Sequence, residues 1–213
     1  MGDMQISAEY VAYSIHQISQ LAGGAQTAIV THSQGGPLTQ WALRFWPSTR
    51  SITRAFVALS PDFAGIEFLG SKLSDVCVGD LCQASLWQQS EGSNFLAALH
   101  ADNFRALVPT TAIWTSSDGI VTPPQPNALL PAATVLQVQS LCPLRIVTHV
   151  QMPTDSAAFA LALDALNHGG VGSVSGARGE SPLACFHMIG LGMSTSVQAE
   201  LAGTYNSVVN GLL

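Results

Sequence analysis

The chain has 213 residues, of which 47% are hydrophobic and only 9% charged, and its formal net charge is −6 with seven Lys and Arg residues. This length is typical of a single domain, residues 1–213, and the scarcity of cations argues against nucleic acid or an anionic membrane as a natural partner. No apolar run is long enough to be transmembrane, and neither a glycine-rich phosphate-binding motif nor a zinc-ligand spacing occurs, so no cofactor and no metal is expected.

The first elements along the chain are a helix and a strand that leads to a serine. Helical periodicity covers roughly residues 6–21, and a β-branched apolar run follows over 27–31. Ser33 then precedes two glycines and a second helical pattern, which ends before Pro47. This layout is typical of a nucleophile elbow, a tight strand-to-helix turn that holds a serine hydroxyl above the end of a sheet. The alternative is an ordinary strand-to-helix turn, because Thr31 replaces the first glycine of the G-x-S-x-G pattern.

Two aspartates follow apolar runs that predict buried strands, and either is a candidate for the acid of a catalytic triad. Asp62 comes after the run 55–59, and Asp118 comes after the run 110–115. Both therefore lie at carboxyl ends of predicted strands, where open α/β sheets carry their chemistry. Asp118 is preferred because the turn that follows it, through Pro123, can aim the carboxylate back toward the sheet.

Six histidines are candidates for the base. His149 is preferred because the run 144–149 predicts a strand that ends at this residue, and His187 is the rival. Serine, aspartate and histidine then follow one another in the order that α/β-hydrolases use. A serine hydroxyl becomes a good nucleophile when an imidazole takes its proton, and a buried carboxylate fixes the tautomer of that imidazole. The sequence thus predicts a triad of Ser33, Asp118 and His149.

The region after His149 predicts a helix and then a loop. Thr154 and Asp155 can cap a helix that runs to Asn167, where two glycines end it. The stretch 169–179 is rich in glycine and serine, which predicts a mobile surface loop.

Eight short motifs extend along the chain, at 31–36, 40–43, 45–48, 60–63, 86–89, 108–111, 117–121 and 142–149. In this order they closely resemble the Candida antarctica lipase B family of fungal lipases, over roughly residues 4–205. The resemblance implies an α/β-hydrolase fold, with a mostly parallel sheet and flanking helices. It also implies cleavage of carboxylic esters including triglycerides, an extracellular location, and a lipid or other ester substrate that can be met at an oil–water interface.

The resemblance implies a role for each candidate site residue. Ser33 would be the nucleophile, Asp118 the triad acid and His149 the base, while the backbone N–H of Gln34 would donate to the oxyanion. Asp62 and Gln89 would be buried polar residues that line the acyl side of the pocket. Ile120 would be an apolar residue at the pocket entrance. His32 stands where the family usually has the tryptophan that forms the floor of the alcohol pocket, and its smaller ring predicts a larger pocket.

Four cysteines allow three connectivities. Cys77 and Cys82 enclose four residues, which suggests a local loop staple, and the resemblance implies that Cys142 pairs with Cys185. Four reduced cysteines in a cytosolic protein are the alternative, whereas the resemblance favours disulfides in an extracellular protein. No signal peptide is visible, because the first residues lead directly into a helix.

Only thirty-two residues precede Ser33, so we expect a partial domain that lacks the N-terminal strands of the hydrolase sheet. The loop after one of those strands supplies the second oxyanion donor, and loss of one such donor lowers the rate by roughly a hundred- to a thousandfold. The missing strands also predict an unpaired flank on the nucleophile strand. Three functions stay open: a triacylglycerol-type ester hydrolase, a cutinase-like short-chain esterase, and a non-catalytic remnant of the family.

Overall fold

A computed structural model describes residues 2–68, 71–72, 83–194, 196–197, 199–201 and 203. The helices are α1 (Met4–Leu21), α2 (Gly35–Phe45), α3 (Ala84–Gln89), α4 (Asn94–His100), α5 (Pro124–Ala128), α6 (Val138–Leu141), α7 (Ser156–Asn167) and α8 (Val174–Glu180). The strands are β1 (Thr27–His32), β2 (Thr53–Leu59), β3 (Glu67–Phe68), β4 (Ser71–Lys72), β5 (Thr110–Trp114) and β6 (Thr134–Gln137). Short 3₁₀ turns cover Pro47–Ile52 and His149–Gln151.

Four of the strands form one parallel sheet, in the spatial order β1-β2-β5-β6, while β3 and β4 form a separate antiparallel pair. Helices cover both faces of the parallel sheet. Val57 and Ile113 pack with the alanine-rich side of α7, whereas Phe56 and Ala58 pack on the other face with Leu43 of α2. Burial on both faces explains why the central strands are almost continuously apolar. The predicted α/β class with a mostly parallel sheet is therefore confirmed.

Strand β1, which leads to Ser33, is the terminal strand of the described sheet, where β2 is its one neighbour. Ala28 and Val30 are exposed along it, Val30 to 50% of its surface. Within the described part of the chain, β1 thus has the unpaired flank that the sequence predicts. An open strand edge offers backbone N–H and C=O groups for pairing with a further strand.

The strand expected over 144–149 is wrong, because this segment is an extended loop that leads into a 3₁₀ turn. Side chains, rather than a neighbouring strand, bind its backbone. Thr115 Oγ1 donates to the carbonyl of Val147 at 2.9 Å, and Gln139 Nε2 donates to the carbonyl of Arg145 at 2.9 Å. The position beside β5 is occupied by β6, a strand that the sequence analysis did not predict.

The predicted helix after His149 is present as α7, and Asp155 caps it by accepting from two backbone N–H groups at 2.8 and 3.0 Å. The loop predicted over 169–179 is wrong in its second half, where α8 forms. Ser173 caps α8 by accepting from the N–H of Gly176 at 2.9 Å, and Ala177 is buried in the core beside α7. Packing of this kind stabilises short helices whose own propensity is low.

Candidate active site

Ser33 lies on a strained turn between β1 and α2. Its φ of 55° falls in the left-handed region, which residues other than glycine occupy when the surrounding structure enforces it. Close packing leaves little room for a Cβ at Gly35 and none at Gly36. A Cβ at Gly36 would lie 2.7 Å from Cβ of Pro61, and one at Gly35 would lie 3.0 Å from Cβ of Thr31. The turn has the compact form expected of a nucleophile elbow.

Asp118 and His149 are joined by a buried hydrogen bond. His149 Nδ1 donates to Asp118 Oδ2 at 2.8 Å, and the two side chains are 6% and 1% exposed. The other carboxylate oxygen, Oδ1, accepts the backbone N–H groups of Ile120 and Val121 at 3.0 and 2.9 Å. Because the proton lies on Nδ1, the neutral imidazole has its lone pair on Nε2 and can accept a proton there.

The electrostatics of this pair keep Asp118 ionised. Burial by itself would raise the pKa of Asp118, but the hydrogen bond and the charge of His149 act in the opposite direction, and so does the N–H of Ile120. The net effect is a pKa below the usual value for aspartate. A carboxylate held in this form can stabilise a positive charge on the imidazole.

The rival residues do not share these contacts. His187 is exposed, and Asp62 makes no hydrogen bond to a histidine among the described residues. Nor does the Ser33 hydroxyl bond His149 within the described part of the chain. Catalytic hydrogen bonds of this type are often long in ligand-free enzymes and shorten when substrate binds.

His32 contacts the candidate base directly, which the sequence analysis missed. Its ring lies against that of His149, with the ring centroids 4.4 Å apart and the ring planes tilted by 40°. His32 Nε2 also donates to the backbone carbonyl of His149 at 2.9 Å. Burial and the neighbouring His149 together lower the pKa of His32 to about 4, so this ring is neutral near pH 7.

Unpaired polar atoms collect around the elbow. Both carboxylate oxygens of Asp62, the amide nitrogen of Gln34 and the hydroxyl of Thr31 are buried with no hydrogen-bond partner among the described residues. Burial raises the pKa of Asp62 to about 7, and the charge of Asp118 contributes to the rise. A fully buried polar group without a partner is costly, so this region is suited to a polar ligand group.

The comparisons with known proteins agree with this fold. No model of a known protein family matches the chain. Lipase B of Pseudozyma antarctica, a curated relative, is 31% identical over 173 residues, which make up 78% of this chain and 49% of the relative. The crystal structure of Aspergillus fumigatus lipase B has a TM-score of 0.81 and 32% identity, covering 99% of this chain and 52% of that one.

The chain belongs to the lipase B family. This membership confirms the resemblance identified from the sequence motifs, and the fold is that of an α/β-hydrolase. The chain spans about half the length of these lipase B relatives. A Bacillus licheniformis lipase in its mature form is 19% identical, with a TM-score of 0.49 over 63% of this chain and 64% of that one, a similarity too low to bear on the fold.

Three further residues have roles that the lipase B resemblance implies, and the structure gives their positions. Gln89 ends α3 and is buried, and its Nε2 donates to the carbonyl of Ser85 at 2.9 Å. Ile120 is half-buried, two residues after Asp118. Gln34 is the N-cap of α2, at a helix start where backbone N–H groups have no intrahelical partner.

The expected disulfide between Cys142 and Cys185 is present, with the two Cα atoms 5.5 Å apart. It ties the loop before His149 to the segment beyond α8. Cys77 and Cys82 lie outside the described residues. None of the helices in the described part of the chain is long and apolar enough to cross a bilayer.

Proposed function

We propose that this chain carries the catalytic residues of a serine-dependent carboxylic ester hydrolase, with triacylglycerols and similar lipid esters as the substrate class. The buried bond between Asp118 and His149 is the observation that carries the proposal. It lies in the same fold as a serine on a strained elbow, and both relatives are named lipase B.

The proposed reaction passes through an acyl-enzyme. Ser33 Oγ attacks the ester carbonyl carbon while its proton moves to His149 Nε2. The resulting imidazolium gives that proton to the departing alcohol oxygen, and Asp118 stabilises the positive ring through Nδ1. A water molecule then attacks the acyl carbonyl by the same route, and the fatty acid leaves as Ser33 recovers its proton.

The oxyanion of the tetrahedral intermediate needs hydrogen-bond donors. The N–H of Ser33 is already bound to the carbonyl of Leu59 at 2.9 Å, so the first suitable backbone donor is that of Gln34. Asp62 and Gln89 would line the acyl side of the pocket and Ile120 its entrance. Below about pH 7 the protonated Asp62 is itself a hydrogen-bond donor.

The neutral state of His32 suits this mechanism. His149 becomes positive during each half-reaction, and a second positive ring 4.4 Å away would oppose that change. Since the pKa of His32 is lowered to about 4, the ring adds no such charge at neutral pH. We also propose that the protein is extracellular, which the disulfide supports. Action at an oil–water interface is part of the same proposal and depends on the proposed lipid-ester substrates.

A fluorophosphonate probe tests the proposal most directly, because a reactive serine displaces fluoride and keeps the phosphonate as a covalent adduct. We expect one adduct per chain, located by mass spectrometry on Ser33. Ser33→Ala should abolish the adduct, whereas Ser140→Ala, at an exposed serine, should leave it unchanged. Circular dichroism of each protein shows whether it is folded.

Absence of an adduct on folded wild-type protein would contradict the proposal and favour a non-catalytic remnant. An adduct accompanied by hydrolysis of short-chain esters only, with or without an oil–water interface, would favour the cutinase-like esterase instead. Hydrolysis that extends to long-chain triglycerides would support the lipid-ester assignment.

His32→Trp should reduce the acceptance of bulky alcohols. The larger ring narrows the proposed alcohol pocket, and changes of this size alter discrimination by about tenfold or more. We expect kcat/KM for esters of bulky secondary alcohols to fall about tenfold relative to esters of ethanol with the same acid. His32→Phe removes the N–H donor to the His149 carbonyl and enlarges the ring less than tryptophan does. A fall in this ratio after His32→Phe as large as that after His32→Trp would assign the effect to the lost hydrogen bond and not to pocket size.

A further inference from the structure

A second cluster of chemically competent side chains lies between α7 and α8, away from the candidate active site. Asp164 and His168 stand one turn apart at the end of α7, and Glu180 is the last residue of α8. One ligand atom from each of the three lies within 4.8 Å of the other two. Among the described residues, this is the one such cluster.

The imidazole of His168 is oriented by the backbone carbonyl of Asp164, one helical turn earlier. Nδ1 lies 2.8 Å from the carbonyl oxygen of Asp164, and Nδ1 can make this bond only as a donor. Metal-binding histidines usually donate their other ring N–H in this way. Nε2 then has the lone pair, and it lies 3.9 Å from Oε1 of Glu180. That separation is too long for a hydrogen bond and about half an ångström wider than the roughly 3.4 Å between two ligand atoms of a tetrahedral zinc ion. A small rotation of the exposed Glu180 side chain would bring its carboxylate to that distance.

The carboxylate of Asp164 supplies a second, independent sign of a missing partner. Its side chain is 1% exposed, and Oδ2 accepts the N–H of Ser173 at 2.6 Å. Oδ1 has no hydrogen-bond partner among the described residues, although Nδ1 of His168 lies 3.1 Å away. Gly176 leaves room for Oδ1, since a Cβ there would collide with it. A buried carboxylate oxygen of this kind calls for a cation.

We propose that Asp164, His168 and Glu180 bind one divalent transition-metal ion of the zinc class. One imidazole nitrogen and two carboxylate oxygens are a donor set that zinc accepts, with water as the fourth ligand, whereas calcium and magnesium prefer oxygen alone. His168 and Glu180 are 54% and 35% exposed, so the ion has access from solvent while Asp164 anchors it from the core.

The position of the site indicates a structural role. α7 has 12 residues and is therefore about 18 Å long. The C-terminal end of α7 lies beside the start of β2, where Arg54 donates to the carbonyl of Leu166 at 3.1 Å. The candidate triad lies at the opposite, carboxyl edge of the sheet. A bound ion would link the end of α7 to α8, and so stabilise the folded chain without contacting the ester.

The test uses the full chain, free of affinity tags and treated with EDTA before dialysis. Isothermal titration with zinc chloride should show one ion per chain, and a hundredfold excess of zinc over Kd should raise Tm by about 5 °C. Magnesium chloride should do neither. Glu180→Gln keeps the shape of an exposed side chain and should weaken zinc binding at least tenfold, as should His168→Ala. His187→Ala removes an exposed histidine outside the cluster and should bind as wild type does.

Each comparison uses the change in Tm on adding zinc, so that a variant's own loss of stability is not counted. Failure of folded wild-type protein to bind zinc at a one-to-one ratio would overturn the proposal and leave an ion pair between His168 and its two carboxylates. Binding that persists unchanged in both His168→Ala and Glu180→Gln would overturn it as well. The readouts are independent of ester hydrolysis, and therefore of the proposed enzymatic function.

Discussion

Asp118→Asn is expected to lower kcat for ester hydrolysis by about ten-thousandfold. Asp118 Oδ2 accepts the proton on His149 Nδ1 at 2.8 Å, and an amide nitrogen at that position would donate instead. The imidazole would then have its proton on Nε2 and could not receive one from Ser33. The geometry of the turn should survive, because the amide oxygen can still accept the N–H groups of Ile120 and Val121.

Two matched variants make this measurement specific. Asp102→Asn changes a side chain that is 96% exposed and should leave kcat within a factor of two. Asp62→Asn tests the rival acid and should lower kcat less than Asp118→Asn does. If Asp62→Asn proved the more damaging of the two, the assignment of the acid would be wrong. Labelling by the fluorophosphonate probe, measured as a rate, should fall in parallel with kcat.

The elbow is the part of the site that local sequence predicts best. Gly35 comes two residues after Ser33, where a Cβ would lie 3.0 Å from Cβ of Thr31, and a local requirement of this kind is visible in the sequence itself. Asp118 is visible in the same way, since a polar residue after an apolar run marks the carboxyl end of a strand. These positions depend on chemistry within a few residues.

His149 was chosen as the candidate base because of a predicted strand, and that strand is absent although His149 does bond Asp118. The sequence predicted a strand ending at His149, yet the residue begins a 3₁₀ turn after a loop. That loop is held by Thr115 and Gln139, whose side chains bind its carbonyls. Hydrogen bonds between side chains and a distant backbone leave no periodicity, so an extended loop and a strand look alike in sequence.

Other features depend on contacts between residues far apart in the chain, and the sequence could not predict them. His32 and His149 are 117 positions apart, and no pattern within either segment predicts that their rings are in contact. The sequence indicates only part of the Asp164, His168 and Glu180 cluster at the end of α7. Asp164 and His168 have the i, i+4 spacing of neighbours on a helix, but Glu180 joins them only because α8 forms where a loop was expected.

The open flank of β1 and the unpaired polar atoms beside Ser33 lie in the same part of the sheet. β1 is terminal in the described sheet, and the unpaired atoms of Thr31, Gln34 and Asp62 lie at the carboxyl ends of β1 and β2. The strand edge and each of the unpaired atoms need a hydrogen-bonding partner. A substrate carbonyl can satisfy the Gln34 amide, whereas an ionised Asp62 needs a donor. The protonation of Asp62 therefore decides how stable this region is.

Asp62→Asn should stabilise the protein at alkaline pH and have little effect near pH 4. The carboxyl of Asp62 has a pKa of about 7 in the folded chain against 3.8 for a free side chain. Between these values the folded state binds a proton that the unfolded state has lost, so stability falls as pH rises across this window. Integrated over the window, the loss is about 4 kcal/mol. Asparagine is neutral at every pH, so the variant does not lose this stability as pH rises.

The measurement is the difference in Tm between Asp62→Asn and wild type, taken from pH 4 to pH 8.5. For a chain of this size 4 kcal/mol corresponds to about 10 °C, so the difference should grow by that amount and level off above pH 7.5. Asp102→Asn, at an exposed aspartate, should show no comparable trend. A difference that stays constant with pH would mean that Asp62 is ionised and paired in the folded protein. An ester-like inhibitor that donates to Asp62 should lower its pKa and so shrink the advantage of the variant, because the ionised carboxylate would then have a partner.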